Sequence, residues 1–199
     1  MTEIEIKAHV EDRAALEQKL SSFAKYEGSV IRDDTYYKKD GISIRIRKET
    51  TEQKSDYLLT YKRKEQRTDS TGTTIEVNDE KECSISTPEP LVAFLEDTGY
   101  TISLKKHKEV KDWCLDLSDV LKRHSLQSIK SFSYKATFEL CKVPPLGDFL
   151  EIEILSPTAE ENIVNALHKE LEELLQKAGI PKSKVEKKYY SELMAELNK

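Results

Sequence analysis

Charged residues in this chain recur at strict two-residue spacing: Glu3, Glu5 and Lys7 in EIEIK, Arg45 and Arg47 in ISIRIRK, and Glu151 and Glu153 in EIEI. Side chains alternate faces along a β-strand, so each set falls on one face while Ile4 and Ile6, Ile44 and Ile46, and Ile152 and Ile154 fall on the other. An ordinary surface strand carries mixed polar residues outward. Here the polar face is fully ionised in strand after strand, which calls for a charged ligand.

The apolar faces need covering, and the sequence supplies helices for it. After a first strand, Glu3 to Val10, the positions Ala15, Leu16, Leu20 and Phe23 fall three or four apart and predict a helix. Val30 to Lys38, Ile42 to Lys48 and Tyr57 to Lys64 read as strands, with Asp40-Gly41 as the turn between the first two. The polar stretches Glu49 to Asp56 and Gln66 to Gly72 both read as mobile loops. A strand within Thr73 to Ser86 precedes a short helix after Pro88 that stops near Gly99. Strands follow at Thr101 to Trp113, Tyr134 to Lys142 and Phe149 to Leu155, with 116–131 as a helical insertion. A long helix from Ser156-Pro157-Thr158 to about Lys177 carries Ile163, Leu167, Leu171 and Leu174 on one face, and a terminal helix is expected over 184–199. About eight strands with covering helices predict an α+β fold in a single domain, 1–199, whose mostly antiparallel sheet closes into a wet barrel or curls into a charged concave face.

The bulk numbers remove several classes of function. A chain with 35% charged and 37% hydrophobic residues, and only 6 Gly and 6 Pro, has a globular composition. Its 32 basic and 37 acidic residues leave a formal charge of -5, so no overall basic field holds nucleic acid or an anionic membrane. The chain shows neither a charged start with an apolar run behind it nor a membrane-length apolar stretch, and a cytoplasmic location is expected. Cys83, Cys114 and Cys141 lack metal-ligand spacing and are expected as free thiols. His9, His107, His124 and His168 are scattered and form no ligand pattern. Tyr36 and Tyr37 read as packing residues.

The ionised residues assigned to the inner face are Lys7, Arg45, Arg47, Lys62, Lys106 and Lys108 against Glu3, Glu5, Glu80, Glu82, Glu151 and Glu153. Any one E-x-E or R-x-R is compatible with a solvated face carrying cross-strand ion pairs. Many together inside a barrel are expensive unless paired or ligated. Cations suit phosphate oxygens and clustered carboxylates suit Mg²⁺ or Mn²⁺, so both together point to a metal-polyphosphate.

EIEIK near the start, RIRK, TYK at Thr60 to Lys62, PLGDFLEIEI at Pro145 to Ile154 and KKYYSELM near the end resemble the CYTH superfamily, the triphosphate tunnel metalloenzymes. The resemblance covers nearly the whole chain. It implies an eight-stranded antiparallel tunnel, a triphosphate-bearing substrate, and Mg²⁺ or Mn²⁺. Its members include class IV adenylyl cyclases and thiamine, inorganic and RNA triphosphatases. Carried over by position, it implies metal ligands at Glu3, Glu5, Glu151 and Glu153, and at Glu80 and Glu82 with Glu76 as a rival register. Phosphate grips are implied at Lys7, Arg45, Arg47, Lys62, Lys106, Lys108 and Lys188, with Lys7, Lys62 and Lys188 as the catalytic lysines. Two departures stand out: Lys108 replaces the usual arginine, and Cys141 stands where many members have aspartate.

The expected function is therefore metal-dependent hydrolysis of a triphosphate, with the conversion of ATP to cyclic AMP and pyrophosphate as the alternative. A non-catalytic polyphosphate sensor is the third reading, disfavoured by the carboxylates. The expected partner is a small triphosphate compound, bound by a monomer or homodimer.

Overall fold

The computed structural model describes residues 2–68, 74–117 and 133–197, and for 62–68 and 74–80 the backbone alone. Eight antiparallel strands form it: β1 (Thr2–Val10), β2 (Lys25–Lys39), β3 (Ile42–Thr50), β4 (Ser55–Thr68), β5 (Thr74–Ile85), β6 (Thr101–Asp116), β7 (Lys135–Val143) and β8 (Gly147–Ser156). Four helices accompany them among the described residues: α1 (Arg13–Ser21), α2 (Glu89–Asp97), α3 (Glu161–Lys177) and α4 (Tyr190–Leu197). The strands run β1-β5-β4-β3-β2-β6-β7-β8 and β8 pairs back with β1, so the sheet closes into a barrel.

The alternation read from the sequence decides which face is which. On β1, Ile4, Ile6 and Ala8 are buried outside the barrel with Ile152 and Ile154 of β8, beneath Leu167, Leu171 and Leu174 of α3. Glu3, Glu5 and Lys7 then have to point inward. The same division on β3 puts Ile46 against Leu95 of α2 and sends Arg45 and Arg47 into the barrel. Asp12 starts α1 by accepting the Ala15 N–H at 2.9 Å, an N-cap that satisfies a donor the helix leaves open. Asp40 and Gly41, at φ 49° and 82°, make the positive-φ hairpin turn that Asp-Gly favours.

Several boundaries differ from the sequence reading. β2 begins at Lys25, earlier than Val30, because Lys25, Tyr26 and Ser29 already pair with β6. The expected loop 49–56 shrinks to 51–54, where Thr51 N–H donates to Lys54 O at 2.9 Å. The terminal helix starts at Tyr190 instead of Lys184. A single 3₁₀ turn, Lys182–Lys184, comes first, and the chain then lies along β1: Val185 bridges Ala8, and Glu186 N–H donates to Lys7 O at 2.8 Å. Backbone groups engaged with β1 cannot also serve a helix. The predicted insertion 116–131 lies outside the described residues from 118 onward.

Candidate active site

The barrel encloses a cavity of about 950 Å³, the size of a small-molecule site. Glu3, Glu5, Lys7, Arg45, Arg47, Glu82, Lys106, Lys108, Glu151 and Glu153 all line it. Lys62 and Glu80 stand directly opposite one another in the β4–β5 pair, and their side chains lie outside the description. Lys188 is not brought in: its ammonium turns to Glu196 of α4, at 2.7 and 2.8 Å. Its backbone enters instead, as Lys188 O accepts from Lys7 Nζ at 2.6 Å.

Two ionic networks cross the interior. Asp34 lies opposite Arg47 on β3 and Lys106 on β6. Arg47 grips it through Nε at 2.7 Å and Nη2 at 3.1 Å, and Lys106 Nζ stands 3.1 Å away. Asp34 is 2% exposed. Burial pushes its carboxyl up, but Lys106, Arg47 and Arg45 outweigh burial and hold it below the usual carboxylate range. In the second network Arg32 donates to Glu49 at 2.7 Å and to Glu139 at 2.6 Å, while Lys108 Nζ reaches Glu151 at 2.6 Å and Glu139 at 3.3 Å. Burial opposes the charge of Glu139 and Glu151 too, and the adjacent cations still hold both carboxyls low.

Arg47, Lys106 and Lys108 therefore face the cavity already paired, with carboxylates setting their positions. Arg45 is held through Thr60, which accepts from Arg45 Nη2 at 3.0 Å and donates to Glu82 at 2.9 Å.

The carboxylates of β1 and β8 form a different arrangement. Glu5 stands directly opposite Glu153 on β8 and opposite Glu76 on β5. Like charges facing each other across strands repel, and this oxygen-only donor set suits a hard divalent cation between them. Glu3, Glu5 and Glu153 line the same cavity. Of the expected β5 carboxylates, Glu82 lines the cavity, and the side chains of Glu76 and Glu80 lie outside the description.

α4 closes one end of the barrel. The Tyr190 ring packs edge-on to Phe149 at 5.1 Å and joins Val30, Val110, Cys141 and Val143 in an apolar floor. Lys7, Lys106 and Lys108 ammoniums lie 4.3, 5.0 and 5.8 Å from its centroid, a cation–π arrangement that places three positive charges over one aromatic face.

Arg32, Asp34, Tyr36, Glu49, Glu139 and Tyr190 were missed in the sequence reading. The signal was present for three of them, since Arg32, Asp34 and Tyr36 repeat at the same two-residue spacing. Tyr36 and Tyr37, both read as packing, separate as strand neighbours must: Tyr37 packs beneath α2 and Tyr36 lines the cavity.

Asp112 stands opposite Glu139, and burial together with that neighbour pushes its carboxyl up to about 6. Its buried Oδ1 has no hydrogen-bond partner. The folded value lies above the unfolded value of about 3.9, so stability falls as pH rises from about 4 through 6. Asp112→Asn removes this penalty. In urea titrations the variant is expected to exceed the parent by on the order of 2 kcal/mol at pH 8 and to match it near pH 4.

The CYTH domain model matches residues 1–190. The chain belongs to the CYTH domain family. Among solved structures, this CYTH protein is similar to the PH1819 protein of Pyrococcus horikoshii, with 24% identity, 98% of this chain and 99% of that one covered, and a TM-score of 0.74. It also resembles a putative adenylate cyclase from Vibrio parahaemolyticus, at 15% identity, 98% coverage of both chains and a TM-score of 0.69. A third is a putative adenylyl cyclase of Hippeastrum, HpAC1, described as having a dominant triphosphatase activity: 16% identity, 99% of this chain and 95% of that one, TM-score 0.56. None of the curated proteins compared matches it in sequence. No helix among the described residues is long and apolar enough to cross a membrane.

Proposed function

We propose that this CYTH protein binds a triphosphate compound in its tunnel and, with Mg²⁺ or Mn²⁺, hydrolyses one of its phosphoanhydride bonds. The observation that carries this reading is a single cavity with carboxylates on β1 and β8 and fixed cations on β3 and β6. Glu3, Glu5 and Glu153 would hold the divalent ion, which when bound draws charge from the phosphate oxygens. Arg45, Arg47 and Lys106 bind the phosphate chain and stabilise negative charge that builds on the leaving phosphate. Their pairing with Glu82 and Asp34 fixes them before the substrate arrives, which lowers the reorganisation cost. Lys7 reaches a phosphate by exchanging the Lys188 carbonyl for a charged oxygen, a stronger acceptor for an ammonium. Glu151 Oε1, buried and without a hydrogen-bond partner, is available to orient the attacking water or hydroxyl.

A second reading, formation of cyclic AMP by attack of the ribose 3′-hydroxyl on the α-phosphorus, is favoured by Tyr36, Leu58 and Leu104. They give the same cavity an aromatic and apolar wall for a base. One experiment separates the readings: purified protein with Mg²⁺ or Mn²⁺ and ATP, inorganic triphosphate or thiamine triphosphate, with products resolved by chromatography. Orthophosphate released fastest from one compound is the expected result and names the substrate. Cyclic AMP with pyrophosphate establishes the second reading, and unchanged substrates in every tube point to a binding protein.

A further inference from the structure

Glu139, Cys141 and Glu151 place one ligand atom each within 4.8 Å of one another, at the floor of the tunnel and apart from the Glu5–Glu153 pair. By spacing alone these residues would hold a metal ion. Their surroundings say otherwise. Lys108 Nζ lies between the two carboxylates, 2.6 Å from Glu151 and 3.3 Å from Glu139, and the residue is 3% exposed. The other Glu139 oxygen accepts from Arg32 Nη1 at 2.6 Å.

Lys108 and Glu151 are buried, and Arg32, which also donates to Glu49 at 2.7 Å, holds Glu139 from the other side. A divalent ion added here would have to occupy the place the Lys108 ammonium already holds, and two cations that close repel. An aspartate at position 141 would add an anion beside the two carboxylates, and the thiol of the buried Cys141 does not. Lysine also differs from arginine in the way that matters here. Its ammonium is a compact point charge that fits between two carboxylates like a small ion, whereas a guanidinium fork is built for bidentate grips on phosphate.

We propose that Lys108 is the resident cation of this cluster: its ammonium fills the place between Glu139 and Glu151, so the tunnel takes its one divalent ion elsewhere on the carboxylate lining and none beside Cys141. Lys108 is then a positioning residue that acts through Glu151. The inference rests on the proposed metal-dependent reading of the same tunnel.

The test is metal stoichiometry, read without turnover. Mn²⁺ is titrated into the protein and free ion followed by electron paramagnetic resonance. Cd²⁺ is titrated in a Cys83→Ser/Cys114→Ser background, where a thiolate-to-Cd²⁺ ultraviolet absorption reports ligation by Cys141 alone. The parent is expected to bind one equivalent of Mn²⁺ and to show no thiolate absorption. Lys108→Met removes the ammonium at similar chain length and is expected to bind a second equivalent with that absorption, which Lys108→Met/Cys141→Ser loses. Two equivalents of Mn²⁺ or a thiolate band in the parent overturns the proposal, as does a folded Lys108→Met protein that still binds one ion. Should Lys108→Met not fold, the parent's stoichiometry and absorption decide alone. No Mn²⁺ bound by the parent defeats the metal-dependent reading itself, and this inference with it.

Discussion

Glu5→Gln is expected to lower metal-dependent turnover by about 10²-fold or more, the scale seen when one electrostatic stabiliser is removed from an active site, in a protein that still folds. Glu5 sits between Glu153 and the Glu76 register position, so the amide takes away a charge that the carboxylate row needs for a cation. Glutamine keeps the size and shape of the side chain, so the fold is expected to survive the loss of the charge. Steady-state assays at several Mn²⁺ concentrations beside thermal melts in a chelator check it. A large drop in melting temperature would mean that Glu5 is a structural ion-pair partner, and a rate unchanged at saturating metal would remove it from the site.

Asp34→Asn is expected to have the opposite profile, with stability lost first. The change leaves Arg47 and Lys106 buried without the anion that both of them grip. Breaking one side of such a buried pair costs about 3–5 kcal/mol. The pH dependence follows from the depressed carboxyl of Asp34. A group whose folded value lies below its unfolded value of about 3.9 contributes fully above that value, and the contribution is lost as pH falls through the folded one. Glu139 and Glu151 act with the same sign. Urea titrations between pH 7 and pH 2 are expected to show the parent losing stability below about pH 4. The gap between parent and Asp34→Asn should be widest near neutrality and narrow in acid. A constant gap across that range would show that the variant acts through packing instead.

The interior charges of β1, β3 and β8 were legible in sequence because strand alternation is a local steric rule. Glu3, Glu5, Lys7, Arg45, Arg47, Glu151 and Glu153 needed no knowledge of neighbours to be sorted from the isoleucines beside them. The same rule applied to β2 would have found Arg32, Asp34 and Tyr36, and they were passed over because their alternate positions hold Asp33, Thr35 and Tyr37 instead of a clean isoleucine row. Glu139 stands in FELC with a cysteine two residues on, which breaks the charged pattern. Lys188 shows the converse. Its sequence context matched the family, yet the turn into α4 carries its ammonium to Glu196 and presents its carbonyl to Lys7.

The pairing of these charges could not be read in the same way. That Asp34 belongs to Arg47 and Lys106 follows from β2 lying between β3 and β6 in the closed sheet, and that Lys108 belongs to Glu151 follows from β7 and β8 curving round to meet it. Alternation, turn residues and helix faces arise from interactions over a few residues, so the sequence by itself determined the strands, the apolar faces under α1, α2 and α3, and the ionised lining of a tunnel. Strand order, register and the seat of α4 depend on contacts between distant segments, and a shift by one residue would exchange the two faces of a strand. The tertiary structure alone therefore decided which cations are tied to carboxylates, which carboxylates face one another, and that Tyr190 covers the floor on which Lys7, Lys106 and Lys108 converge.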